Sequence, residues 1–243
     1  MIPIGDDNPS RRYGAVVNAL LIAINVLIFL YELTLPPLAL SQLIFKWGVV
    51  PDVILPALAE PFNAPPNVWA SLITSQFLHA GWFHLIGNML FLWIFGDNIE
   101  DALGTFTYLV FYLAGGVIAG IVQSIVTGAD GIPAIGASGA IAGVLGAYLV
   151  LYPLSQIKII IPAILLFWSI RLPALIVIGW WFVQQFLNGI GSLGEAAVGG
   201  VAFWAHIGGF VFGALMVLPF IPRARRRQRR VRYVYPPKDF YRS

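Results

Sequence analysis

The chain has 243 residues and not one cysteine. This excludes a disulfide framework, a thiol nucleophile and thiolate metal ligands, and it leaves the redox compartment unread. Charge is scarce as well: Asp, Glu, Lys and Arg make up 10% of the residues, hydrophobic types make up 59%, and the mean hydropathy is +0.83. A soluble domain carries about 25% charged residues. The composition is therefore that of a polytopic membrane protein. No HExxH motif occurs, and no pair of aspartates lies within the apolar runs, which excludes zinc-dependent and aspartyl hydrolysis. No cofactor and no metal site is expected, and any nucleophile has to be an oxygen.

What the chain does have is apolar runs long enough to cross roughly 30 Å of hydrocarbon. Helical spans are expected near Ala15 to Leu33, Ala80 to Phe95, Phe106 to Thr127, Ala137 to Tyr152, Leu172 to Ile190 and Val198 to Ile221. The fold class expected is an all-α polytopic membrane protein with six spans. The apolar patch from Ile157 to Ile170, flanked or broken by Lys158, Pro162 and Arg171, is read as lying at the cytoplasmic interface. The proline-rich connection from Thr34 to Val68 is too apolar for a solvated linker and too broken for a span, so an interfacial outer loop is expected.

Of the fourteen basic residues, only Lys46 falls outside if both termini are cytoplasmic. An even number of spans satisfies this positive-inside bias. The amino terminus lacks a basic-then-apolar start, so no removable signal peptide is expected. Three segments result: 1–14 amino-terminal, 15–221 membrane domain and 222–243 basic tail. The run "RARRRQRRVR" reads as a topology anchor on anionic lipid rather than a nucleic-acid binder, because it abuts a span.

Ser138 and His206 stand in stretches with no formal charge, where polar groups are costly unless used. The fourth span reaches only about 24 Å at about 1.5 Å per residue, so its first turn should begin below the membrane surface. The irregular "TGADGIPAIG" before it must then line protein or a wet cavity. A serine in a helix's first turn has free N–H groups and the positive dipole end beside it. Gly139, Gly143 and Gly146 stripe the fourth span, and Ala205, Gly209 and Gly213 stripe the sixth, so the two helices can pack backbone to backbone. Either these stripes are ordinary helix contacts, with Ser138 bonded to its own helix, or they bring His206 within reach of Ser138.

His84 and Asn88 are four residues apart and share one helix face. They can form an interhelical hydrogen-bond pair or donate to an oxyanion. His79 lies nearer the interface, where it would anchor the preceding loop. Trp180, Trp181 and Phe182 can pack against lipid or line a lateral substrate entry. Asp97, Glu100 and Asp101 read as a helix-end and turn device.

Three segments carry a resemblance. "GASGAIAG" is similar to the GxSG nucleophile segment of the rhomboid intramembrane serine proteases. "HAGWFHLIGN" resembles their HxxxN helix, and "AHIGG" resembles their AHxxG helix; the likeness runs from about Trp69 to Leu218. It implies a six-helix rhomboid-like bundle with an interfacial first outer loop and a short fourth helix. It also implies Ser138 as nucleophile, His206 as general base, His84 and Asn88 as oxyanion donors, and transmembrane protein substrates within a lipid bilayer. A prokaryotic cell membrane is the expected location. Two departures stand out: Trp69, Ala70 and Ser71 occupy the place of a Trp-Arg pair, and Ala142 occupies the place of a tyrosine that stacks on the histidine. Orientation of the imidazole must then come from other contacts. A rhomboid-like client-binding protein without catalysis and a small transporter are the competing readings.

Overall fold

The structure, a computed structural model, describes residues 2–8, 14–129, 131–163, 166–192 and 201–226. Arg11, Arg12, the start expected for the sixth span at Val198 and the basic tail beyond residue 226 lie outside the described residues. Nine α-helices are described: α1 (Val16–Glu32), α2 (Pro37–Trp47), α3 (Pro51–Ala59), α4 (Pro66–Thr74), α5 (Trp82–Leu103), α6 (Thr105–Thr127), α7 (Ser138–Leu151), α8 (Ala174–Gly191) and α9 (Phe203–Met216). Among the described residues α6, α8 and Phe203–Arg226 are each long and apolar enough to cross a membrane. Pro66–Phe77 and Trp82–Leu103, bent by 83° at their break, make a fourth candidate when taken together. The apolar helices α1 and α7 are shorter.

The connection read as a broken interfacial loop is largely helical. Proline stands at the first position of α2, α3 and α4, where its missing N–H costs nothing and its fixed φ suits the helix. The prolines that disqualified this stretch as a span therefore start three short helices. Val49, Ile54, Ala57, Val68 and Leu72 form a small apolar core beneath them, against α6.

The all-α expectation is corrected at the patch following α7. Gln156–Ala163 (β2) and Leu166–Pro173 (β3) form an antiparallel hairpin, and Ile2–Asp6 (β1) pairs antiparallel with β2 to give the order β1-β2-β3. Isoleucines at 157, 159, 160 and 161 are stiff at χ1 and fit a pleated surface better than a helix. Asp6 fastens β1 to the helices: its carboxylate accepts from the Tyr148 hydroxyl on α7, and from the Asn98 amide on α5 at 3.0 Å.

α7 occupies the centre. Every residue from Gly139 to Tyr148 is buried, so the helix needs no polar face. Its main neighbour is α9. A Cβ at Gly209 would overlap the carbonyl oxygen of Gly139, one at Gly213 would overlap that of Gly143, and one at Gly146 would overlap that of Phe210. At Gly143 the demand is looser, with the nearest atom, Gly209 O, 3.2 Å away. Polar ties hold the other helices. Glu100 on α5 accepts the N–H groups of Asn18 at 2.8 Å and Val17 at 3.4 Å, so an anion caps the first turn of α1. The Tyr108 hydroxyl donates to the Asn18 side chain at 2.7 Å, and the Asn18 amide donates to Leu92 O at 2.9 Å. The acidic turn is thus also a cap for a neighbouring helix. Between α5 and α6 the chain turns on Gly104 alone, at φ 89°, a conformation that suits glycine.

Two outcomes test this packing. Gly209→Ala and Gly213→Ala should each cost about 1 to 3 kcal/mol of stability by overpacking, and Gly143→Ala should cost less. Thermal unfolding in detergent ranks them, and a reversed order would contradict the seam. Burial pushes the Asp6 carboxyl up from its ordinary 3.8 to about 6, so the folded state holds that proton more tightly than the unfolded chain. Its contribution is then largest below pH 4 and declines as pH rises through about 6. Asp6→Asn should remove that decline. Identical changes in Tm between pH 4 and pH 7 for parent and variant would contradict the buried clasp.

Candidate active site

Ser138 begins α7, and the chain that delivers it is tied down on three sides. Val49 and Ala134 exchange backbone hydrogen bonds at 3.0 and 2.8 Å. The Asp52 carboxylate accepts the Gly131 N–H at 2.7 Å, and Ser75 O accepts the Gly136 N–H at 2.8 Å. The connection between α1 and α5 therefore grips the irregular segment ahead of the serine, satisfying its backbone groups. Gly136 sits at φ 122°, and a Cβ there would come within 2.7 Å of the His84 ring. Only glycine permits both the backbone angle and the close approach.

His206 stands in the first turn of α9, 9% exposed. The helix start is fixed by Gln123 on α6, whose Oε1 accepts the Ala205 N–H at 3.0 Å. From there His206 Nε2 reaches Ser138 Oγ at 2.8 Å. Its Nδ1 lies 2.8 Å from Oε1 of Gln185 on α8. The Trp181 ring, also on α8, lies 5.8 Å from the imidazole between centroids. This pair of contacts was missed in the sequence. The only signal there was a glutamine one turn after a tryptophan in an apolar span.

His84 and Asn88 on α5 converge on the segment preceding Ser138: the Asn88 amide nitrogen would lie 3.7 Å from a Cβ at Gly136. Asn88 is 8% exposed, and its amide nitrogen is buried with no hydrogen-bond partner. A buried donor left open calls for an explanation. The Ala80 N–H approaches His84 Nδ1 at 3.4 Å, an arrangement that leaves the ring proton on Nε2, the nitrogen beside Gly136. His79 is buried. Its backbone N–H donates to the Glu32 carboxylate at the end of α1, at 3.2 Å, and its ring lies 5.1 Å from that of His84 between centroids.

The aromatic group on α8 divides. Trp180 is 55% exposed and points away from the core, Trp181 faces His206, and Phe182 stacks on Phe210 of α9 at 4.4 Å. The site as a whole offers a hydroxyl against an imidazole, an open amide donor and an N–H group on a second imidazole, all at one end of the buried α7. Such a set can deprotonate an alcohol and hold a developing negative charge.

A family model described as Rhomboid domain matches residues 66–223. Among curated proteins, the rhomboid protease GluP of Bacillus subtilis is 34% identical over 151 residues, covering 62% of this chain and 27% of that protein. The chloroplastic rhomboid-like protein 11 of Arabidopsis thaliana is 40% identical over 75 residues, 31% of this chain and 26% of the relative. The human mitochondrial presenilin-associated rhomboid-like protein is 38% identical over 92 residues, 37% of this chain and 24% of the relative. The chain thus matches about a quarter of the length of these relatives. They come from a bacterium, a chloroplast and a mitochondrion, so the likeness gives a membrane and not a compartment.

Proposed function

The chain belongs to the rhomboid family of integral membrane proteins, and from that premise we propose that it is a serine endopeptidase cleaving peptide bonds in or near transmembrane segments of other membrane proteins. The observation that carries the reading is the 2.8 Å approach of His206 Nε2 to Ser138 Oγ. His206 takes the serine proton and the alkoxide attacks the substrate carbonyl. The tetrahedral oxyanion is held by the Ser138 N–H, His84 and Asn88, and the open Asn88 amide supports this role. The imidazolium then protonates the departing amine. Water, deprotonated by the same imidazole, attacks the acyl-serine and frees the carboxylate.

A carbonyl already hydrogen-bonded inside a substrate helix is shielded from attack. Substrates are therefore transmembrane segments that unwind readily, with small or helix-breaking residues near the cleaved bond. The bundle is read as six spans: α1, the bent α4–α5 pair, α6, α7, α8 and α9. Both termini then lie in the cytoplasm and Ser138 opens to the opposite side, a topology supported by the basic-residue bias.

With purified protein and a panel of transmembrane peptides, Ser138→Ala and His206→Ala should each abolish cleavage while Tm stays near the parental value, since nucleophile and base act as a unit. Cleavage that survives in Ser138→Ala sinks the assignment. The oxyanion donors should matter less. Asn88→Ala or His84→Ala should lower kcat by roughly 10²-fold or less, because the Ser138 N–H remains. Unchanged turnover in both variants would leave the two residues a packing role alone.

A further inference from the structure

The contacts of His206 lie on two helices with different roles. Nε2 faces Ser138 on α7, while among the described residues the polar and ring contacts on the other side come from α8: Gln185 Oε1 at 2.8 Å from Nδ1 and the Trp181 ring at 5.8 Å. Trp181 and Gln185 are four residues apart and so present themselves on one face. α7 offers nothing comparable. The residue one turn after the serine, Ala142, is fully buried and ends in a methyl group.

A neutral imidazole carries one ring proton, and its position decides whether the ring can act as a base toward the serine. With the proton on Nδ1 donated to an amide oxygen, the Nε2 lone pair faces Ser138 and accepts its hydroxyl proton. With the proton on Nε2 the pair is unproductive. Resting on the serine–histidine reading above, we propose that Gln185 is the positioning residue of this site, holding the productive tautomer of His206 through its side-chain carbonyl while Trp181 backs the ring.

A neutral amide suits this location. A carboxyl group here would either incur the cost of desolvating its charge or take up a proton and accept through its carbonyl oxygen alone. The amide oxygen avoids that cost and still accepts. Once the imidazole has taken the serine proton, the same hydrogen bond becomes charge-assisted and strengthens. Its help is therefore greater in the transition state than in the ground state, which marks a group that raises kcat rather than affinity.

The test compares Gln185→Met, which keeps length and shape but removes the acceptor, with Gln185→Glu, which keeps an acceptor oxygen in place. Peptide cleavage by the full chain is measured beside Ser138→Ala, with Tm as the folding check. Gln185→Met should lose roughly 10- to 100-fold in kcat, part of the ~10² to 10⁴ that a positioned general base contributes, while KM stays within about twofold. Gln185→Glu should recover most of the lost kcat. If the methionine variant does not fold, Gln185→Asn, which withdraws the amide by one methylene, should show the same selective loss of kcat. Parental kcat in the variants that lack the acceptor, or equal losses in the methionine and glutamate variants with KM raised, would overturn the proposal while Ser138→Ala stays inactive. Cleavage by Ser138→Ala would instead overturn the serine–histidine reading itself.

Discussion

The approach of α7 to α9 is the constraint on which the rest of the molecule depends. Lipid provides no hydrophobic drive between helices, so two backbones meet only where side chains are absent and the fit is close. Gly139, Gly143 and Gly146 on one side, with Ala205, Gly209 and Gly213 on the other, make that contact. It sets the 2.8 Å between His206 and Ser138. The other helices hold these two in place: Gln123 on α6 fixes the first turn of α9, and α8 carries the partners of the imidazole.

At the serine end, the chain solves a problem of unpaired backbone. Irregular peptide at membrane depth needs partners, and Val49, Asp52 and Ser75 supply them to Ala134, Gly131 and Gly136. The short helices that proline starts are what bring Val49 and Asp52 there. At the far end of α7 the three-stranded sheet and Asp6 close the bundle against Tyr148 and Asn98. The central helix is short, and irregular chain leads into its first turn at Ser138.

Much of this was legible in the sequence, for a physical reason. Ser138, His206, His84 and Asn88 stand out because a polar group in an apolar run is expensive, and glycines at spacing three and four announce a close seam. The elements that escaped are those set by long-range pairing. Gln185 gave no sign of its partner, since α8 and α9 come together only in the fold. The run from Ile157 to Ile170 is apolar in a way that fits strand, buried helix or interface alike, and its pairing with Ile2–Asp6 spans most of the chain. The short helices in the Thr34–Val68 stretch escaped because proline breaks a helix in its interior yet begins one at its first position.

The central claim is that Ser138 is a nucleophile activated by a histidine across that seam. Its most direct test is the site of covalent modification. The folded protein is treated with a fluorophosphonate in detergent, digested, and mapped by mass spectrometry over every serine. The account predicts a single phosphonylated residue, Ser138, with the adduct lost when the protein is unfolded before treatment. An adduct on another serine, or none on the folded protein, would contradict it.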